Sequence, residues 1–213
     1  MLALSATFER IIMTKVIGLT GGIATGKTTV SNLFRQAGIP VIDADLVARQ
    51  VQTPDSIGLT RLVKAFGAQI LLPTGQLNRA ALGKIIFNSI QARQKLNEIM
   101  QPLIWDELWQ QVTHFKRQNL PLVVIDVPLL FEQHYDEQCD YVVVVYTDKA
   151  IQLTRLMARD NSTKEEALAR INAQLPLAKK AALADRVINN NVQEPELHQQ
   201  VAQLISDLQN MVK

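Results

Sequence analysis

The chain has 213 residues, 47% of them hydrophobic and 20% charged, and its 22 basic and 20 acidic side chains leave a formal net charge of +2. That length and balance suit one globular domain with room for a lid or small subdomain, and they exclude the dense basic face of a general nucleic-acid binder. The lone cysteine, Cys139, rules out an internal disulfide and fits a reducing, cytoplasmic setting, while no apolar run approaches the roughly 18 residues of a membrane span.

Residues 1–12 contain Glu9 and Arg10 and lack the basic start and apolar stretch of a secretory signal. Met13 directly precedes the first strand-like run, so residues 1–12 read as a dispensable extension. Beyond them, short apolar runs rich in β-branched residues alternate with helical patterns, the mark of a parallel sheet covered on both faces. The runs are Val16–Leu19, Ile39–Ile42, Leu122–Ile125, Tyr141–Tyr146 and Val187–Ile188.

The first helix shows Val30, Leu33, Phe34 and Ala37 on one face, with Gly38 as its stop. Residues 54–119 are long for a crossover between parallel strands and read as a mostly helical subdomain. Trp105, Leu108, Trp109 and Val112 form a core-facing stripe within it. Cys139 precedes an apolar strand and reads as a small buried hydrophobe. Thr163 and Glu166 form a capping box for a helix carrying Leu168, Ile171 and Leu175. Residues 155–180 hold Arg155, Arg159, Lys164, Arg170, Lys179 and Lys180, which read equally as a basic lid or as a solvated charged face.

The central signal is Gly21-Gly22-Ile23-Ala24-Thr25-Gly26-Lys27-Thr28, which meets the G-x-x-x-x-G-K-[ST] pattern in full between a strand and a helix. Glycines let the backbone curl until successive N–H groups face inward as an anion nest, and the helix that follows, from Thr29 on, adds its unpaired N–H groups. Lys27 reaches β- and γ-phosphates, and the Thr28 hydroxyl suits Mg²⁺. The pattern marks a nucleotide site without saying whether the protein hydrolyses, transfers or senses. No Asn-Lys-x-Asp motif occurs, which argues against a GTPase. A small kinase remains favoured, and it needs a carboxylate at the acceptor hydroxyl and cations around the moving phosphoryl. Asp43, Asp45 and Asp126 stand at the ends of expected strands, and Arg155 and Arg159 lie in the expected lid.

Several stretches together resemble the dephospho-CoA kinase family: Ile17-Gly-Leu-Thr-Gly-Gly-Ile, Val41-Ile-Asp-Ala-Asp45, Leu77-Asn-Arg-Ala-Ala-Leu82, Pro102-Leu-Ile104, Asp126-Val-Pro-Leu-Leu-Phe-Glu132, Arg159-Asp160, Arg170 with Gln174, and Asp185 to Asn190. The resemblance implies a three-layer α/β P-loop kinase fold, with a five-stranded parallel sheet, a helical substrate-binding subdomain and a lid. It implies transfer of the γ-phosphoryl of ATP-Mg²⁺ to the ribose 3′-hydroxyl of dephospho-CoA. Asp45 is then the catalytic carboxylate, the alternative being a cap on the next helix. Lys27 and Arg159 serve the moving phosphoryl, and Gly22 to Thr29, Arg155 and Asn189 (or its neighbour Asn190) bind ATP. Asp43, Arg79, Asp126, Pro128, Leu129, Leu130, Phe131 and Glu132 line the acceptor pocket. Monomer and small homo-oligomer stay equally open.

Three positions depart from the family pattern. Ala24 replaces a glycine, which leads to the expectation of an ordinary backbone conformation there. Gln101 replaces a histidine, and His114, His134 and His198 carry no catalytic assignment. Asn191 replaces a glycine, a benign change because Asn tolerates left-handed geometry. The alternative functions are a nucleoside or nucleotide kinase on the same core and a non-catalytic nucleotide-sensing adaptor.

Overall fold

The computed structural model describes residues 13–212, so the extension expected at residues 1–12 lies outside the described residues. Five strands form one sheet: β1 (Lys15–Gly21), β2 (Val41–Asp43), β3 (Leu122–Asp126), β4 (Tyr141–Tyr146) and β5 (Arg186–Asn189), in the order β2-β3-β1-β4-β5. β1 pairs in parallel with β3 and β4, with Leu19 level with both Asp126 and Val143, and β4 pairs in parallel with β5. Nine α-helices are described: α1 (Lys27–Gln36), α2 (Ala44–Gln50), α3 (Ile57–Phe66), α4 (Arg79–Phe87), α5 (Ile90–Arg117), α6 (Lys149–Asp160), α7 (Lys164–Asn172), α8 (Leu177–Leu183) and α9 (Glu194–Asn210). This is the α/β sheet flanked by helices that the sequence predicts.

The chain divides into two compact units. One comprises residues up to Val41 and from His114 onward, the other Ile42–Thr113. In the first, Ile17, Leu19, Val143 and Val145 pack against Val30 and Phe34 of α1 and Leu197, Val201 and Leu204 of α9. At Gly18 a β-carbon would fall 2.7 Å from the Cys139 sulfur and 3.1 Å from Leu130, so that strand position leaves room for nothing larger. In the second unit, Leu62, Phe66, Ile70, Leu82 and Met100 make a separate core. Its helices are capped from sequence: Ser56 accepts from Leu59 N–H at the start of α3, and Asn78 from Ala81 N–H at the start of α4. Trp105 and Trp109 meet edge to face at 5.5 Å while Leu108 and Val112 are buried, so the stripe is core packing.

Strands β1 and β5 run longer than the apolar stretches that mark them, and two further boundaries differ from the sequence reading for local reasons. β2 begins at Val41 rather than Ile39, because Ile39 N–H turns back to Phe34 carbonyl to close α1 and Pro40 has no N–H to give a ladder. Gly38 at φ 76° makes that closure possible. α7 has the expected Thr163–Glu166 capping box but ends at Asn172, leaving Leu175 outside it.

Cys139 donates its S–H to the Tyr135 carbonyl at 3.3 Å, and burial, reinforced by Asp136 and Asp140, pushes its thiol up to about 12. The native protein at about pH 8 should therefore resist iodoacetamide and label fully once unfolded in guanidinium. Rapid alkylation of the folded protein would overturn the reading of Cys139 as a packed hydrophobe.

Candidate active site

The phosphate loop leaves β1 at Gly21 and enters α1 at Lys27. Gly26 caps the helix at φ 89°, where its carbonyl accepts from Thr29 N–H at 3.0 Å. A β-carbon there would fall 2.1 Å from the Asn190 side-chain nitrogen, so glycine is required twice over. Thr25 is buried and folds onto Gly22, its hydroxyl donating to the Gly22 carbonyl at 2.9 Å. Ala24 is not in an ordinary conformation: its φ is 59°, in the left-handed region. The expectation is corrected, and the chain holds an alanine where geometry favours glycine, at a cost of about 1–2 kcal/mol.

The N–H groups of Ala24, Gly26, Lys27 and Thr28 donate to no protein acceptor among the described residues. They precede the first intrahelical bonds and lie at the positive end of α1, so together they form an anion-binding nest. Thr28 and Thr29 are exposed at the start of α1. Among the described residues the Thr28 hydroxyl has no hydrogen-bond partner, and no group of three or more His, Cys, Asp or Glu able to hold a metal ion occurs.

Lys27 extends its ammonium to the Asp126 carboxylate at the end of β3, which is almost wholly buried. The β1–β3 register puts Asp126 there, level with Leu19. After β3 the chain turns through Pro128, whose carbonyl accepts from the Thr20 hydroxyl at 3.2 Å and the Lys180 ammonium at 2.8 Å. Lys180 also pairs with Glu132 at 2.8 Å, and the same Glu132 oxygen accepts from Leu175 N–H at 2.9 Å. Leu129 is exposed and Leu130 fully buried, with Phe131 between these extremes.

Lys180 thus belongs neither to a basic lid surface nor to a solvated charged face, both of which the sequence allowed. It is 0% exposed. Burial lowers its pKa, Glu132 opposes that shift, and Lys27 adds to it.

On α6, Arg155 donates to the Asn190 carbonyl at 3.2 Å, and Asn190 in turn donates from its side chain to the Thr25 carbonyl at 2.7 Å. Arg155 therefore joins the loop's network. Arg159 grips Asp160 with two hydrogen bonds of 2.7 and 3.0 Å, and Arg170 of α7 takes the same carboxylate. Those two guanidinium groups hold Asp160 down to about 2. Asn189 spends its backbone on Gln200 of α9 and its side chain on Asn191 N–H. Asn191 is not left-handed, contrary to the reason given for its tolerance. Its side-chain oxygen instead accepts from the Thr147 hydroxyl at 2.7 Å and Asp148 N–H at 2.8 Å.

In the other unit, Asp43 ends β2 and caps α2, accepting from Asp45 N–H at 2.9 Å and Leu46 N–H at 3.2 Å. The cap is therefore Asp43. Asp45 stands exposed in the first turn with no partner for its carboxylate among the described residues. Arg79 is exposed and donates to the Gln52 side chain at 2.6 Å.

Sequence reasoning missed Gln152 and gave Lys180 no specific role. It named Gln174 only as part of the resemblance. A glutamine donating from Gln152 to the Ile23 carbonyl at 2.7 Å, and another accepting from Ile23 N–H at 2.9 Å, carry no local signature.

The family profile for dephospho-CoA kinase matches residues 15–196. The chain is 50% identical over 189 residues to the dephospho-CoA kinase of Listeria monocytogenes serovar 1/2a, covering 89% of this chain and 94% of that protein. Among solved structures, a Thermus thermophilus protein superposes with a TM-score of 0.80 at 28% identity over 91% of this chain and 97% of its own. Dephospho-CoA kinase from Campylobacter jejuni does so at 0.72 and 27%, over 92% and 98%.

Lys180→Met strands the Glu132 carboxylate and should lower stability by about 3 kcal/mol in chemical denaturation. Adding Glu132→Leu should recover most of that loss. A single-variant change under about 0.5 kcal/mol would mark the pair as a surface contact.

Proposed function

Because the chain belongs to the dephospho-CoA kinase family, we propose that it transfers the γ-phosphoryl of ATP to the ribose 3′-hydroxyl of dephospho-CoA, giving coenzyme A and ADP. The single observation that carries the nucleotide half of this reading is the nest made by the N–H groups of Ala24, Gly26, Lys27 and Thr28, which have no protein acceptor among the described residues. That arrangement fits polyphosphate.

In the proposed step the 3′-oxygen forms a bond to the γ-phosphorus while the bond to the β–γ bridging oxygen breaks, and ADP leaves. Asp45 takes the hydroxyl proton, a role its free carboxylate suits. Lys27 turns from Asp126 to the phosphate oxygens, and Arg155 and Arg159 add positive charge as the lid closes. Mg²⁺, when bound with the nucleotide, neutralises charge on the β- and γ-phosphates, and the Thr28 hydroxyl is the chain's ligand for it. No all-protein metal cage is needed, since Mg²⁺ in such sites draws its oxygens mainly from phosphates and water.

The segment from Asp126 to Glu132 is assigned to acceptor binding, as are Asp43 and Arg79. Asn189 lies by the adenine. Residues 54–119 bind the acceptor, and residues 155–180, apart from the buried Lys180, form the lid. Among the described residues no helix is long and apolar enough to cross a membrane. The reaction belongs to the cytoplasm, where a lone thiol stays reduced.

The test is ADP formation with ATP-Mg²⁺ in the presence and absence of dephospho-CoA, with the product identified by mass. A product heavier by one phosphoryl group, formed only with acceptor, is expected. Preferential phosphorylation of a nucleoside monophosphate would overturn the acceptor assignment, and ATP binding without acceptor-dependent ADP would overturn catalysis. Asp45→Asn should cut kcat by about 10²–10⁴ with ATP affinity unchanged. Wild-type turnover in that variant would remove Asp45 from the mechanism.

A further inference from the structure

Ile23 is gripped through both of its backbone groups. Its N–H donates to the Gln174 side chain at 2.9 Å, from the segment between α7 and α8. Its carbonyl accepts from the Gln152 amide nitrogen at 2.7 Å, from α6. Gln152 is only 3% exposed. Its amide lies so close to Gly22 that a β-carbon there would come within 2.6 Å of it. Gly22 and Gln152 are thus fitted to each other, and the glycine of the motif makes way for a side chain from another helix.

The consequence falls on the next residue. In a trans peptide the carbonyl and the following N–H point in opposite directions. With the Ile23 carbonyl turned toward Gln152, the Ala24 N–H points away from Gln152, and it has no protein acceptor among the described residues. It joins the N–H groups of Gly26, Lys27 and Thr28. Ala24 also sits at φ 59°, a conformation an alanine does not hold without support. The two hydrogen bonds on Ile23 supply that support.

We propose that Gln152 is a positioning residue for nucleotide binding: by holding the Ile23 carbonyl it aims the Ala24 N–H at the bound phosphate and keeps Ala24 left-handed. Gln174 completes the grip from the opposite side. The inference rests on the reading that this loop binds ATP, and it adds a residue outside the motif on which the loop's anion affinity depends.

Two variants test it. Gln152→Glu keeps the size of the side chain but sets an oxygen against the Ile23 carbonyl. Gln152→Met keeps the bulk and loses the donor without adding charge, which separates lost positioning from simple repulsion of phosphate. Affinity for a non-hydrolysable ATP analogue and for dephospho-CoA is measured by calorimetry on the same samples, beside the wild-type protein. Both variants should bind the analogue about tenfold or more weakly, Gln152→Glu the weaker, with dephospho-CoA affinity within about twofold of wild type. Unchanged analogue affinity in Gln152→Met overturns the inference, as does an equal fall for both ligands, which marks general loss of packing. A Gln152→Met protein that fails to fold overturns it too, because Gln152 would then belong to the core rather than to the loop. Wild-type protein that binds no ATP analogue overturns the function and the inference together, whereas binding by wild type and variants alike overturns the inference alone.

Discussion

Two lysine ammonium groups are held by the end of β3 and the short segment that follows it, and Lys27 disfavours the charge on Lys180. Asp126 takes Lys27 and Glu132 takes Lys180. Because Lys180 is fully buried, its charge persists only with a carboxylate and further acceptors at hand, which Glu132 and the Pro128 carbonyl provide. That pairing fixes the path of residues 126–132. Glu132 extends the constraint to the connection between α7 and α8 through Leu175 N–H. The same contacts that keep the cations stable thus set the geometry around the phosphate loop.

The loop itself carries backbone conformations that its own residues do not stabilise. Ala24 and Gly26 both lie at positive φ. Side chains from α6, from the α7–α8 connection and from the end of β5 hold it, through Gln152, Gln174 and Asn190. Such external support lets an anion nest exist ready-made, so that binding phosphate costs little reorganisation. The ion pairs of α6 and α7 follow a different logic. Arg159, Asp160 and Arg170 form an exposed cluster, where solvent screens the attraction and leaves it weak enough for the arginines to exchange partners.

Much of this was legible in the residues. Five apolar runs became five strands, and Gly38, the Thr163–Glu166 box and the phosphate loop did what their local chemistry requires. These signals are short-range, and a cap or a glycine turn acts within a few residues of itself. Where reading failed, the deciding partner was remote. Lys180 looks like any surface lysine until Glu132 and Pro128 arrive from 48 and 52 residues away; the latter separation and the contacts are structural facts, not patterns. Asn191 earned tolerance by assumed backbone freedom, yet it serves through its side chain on Thr147 and Asp148. Asp43, not Asp45, is the cap, a difference of two positions that composition does not resolve.

By itself the sequence determined that this is a parallel α/β protein with an anion loop opening its first helix, because hydrophobic period, glycine and capping residues act locally. It also determined the family, since the matching stretches span most of the chain. Only the tertiary structure decided that Ala24 is left-handed, that Lys180 is a buried ion-pair partner, and that Gln152 holds the Ile23 carbonyl. The last of these joins residues 129 apart in sequence. Contacts over such separations are set by strand order and helix packing, which no local pattern records.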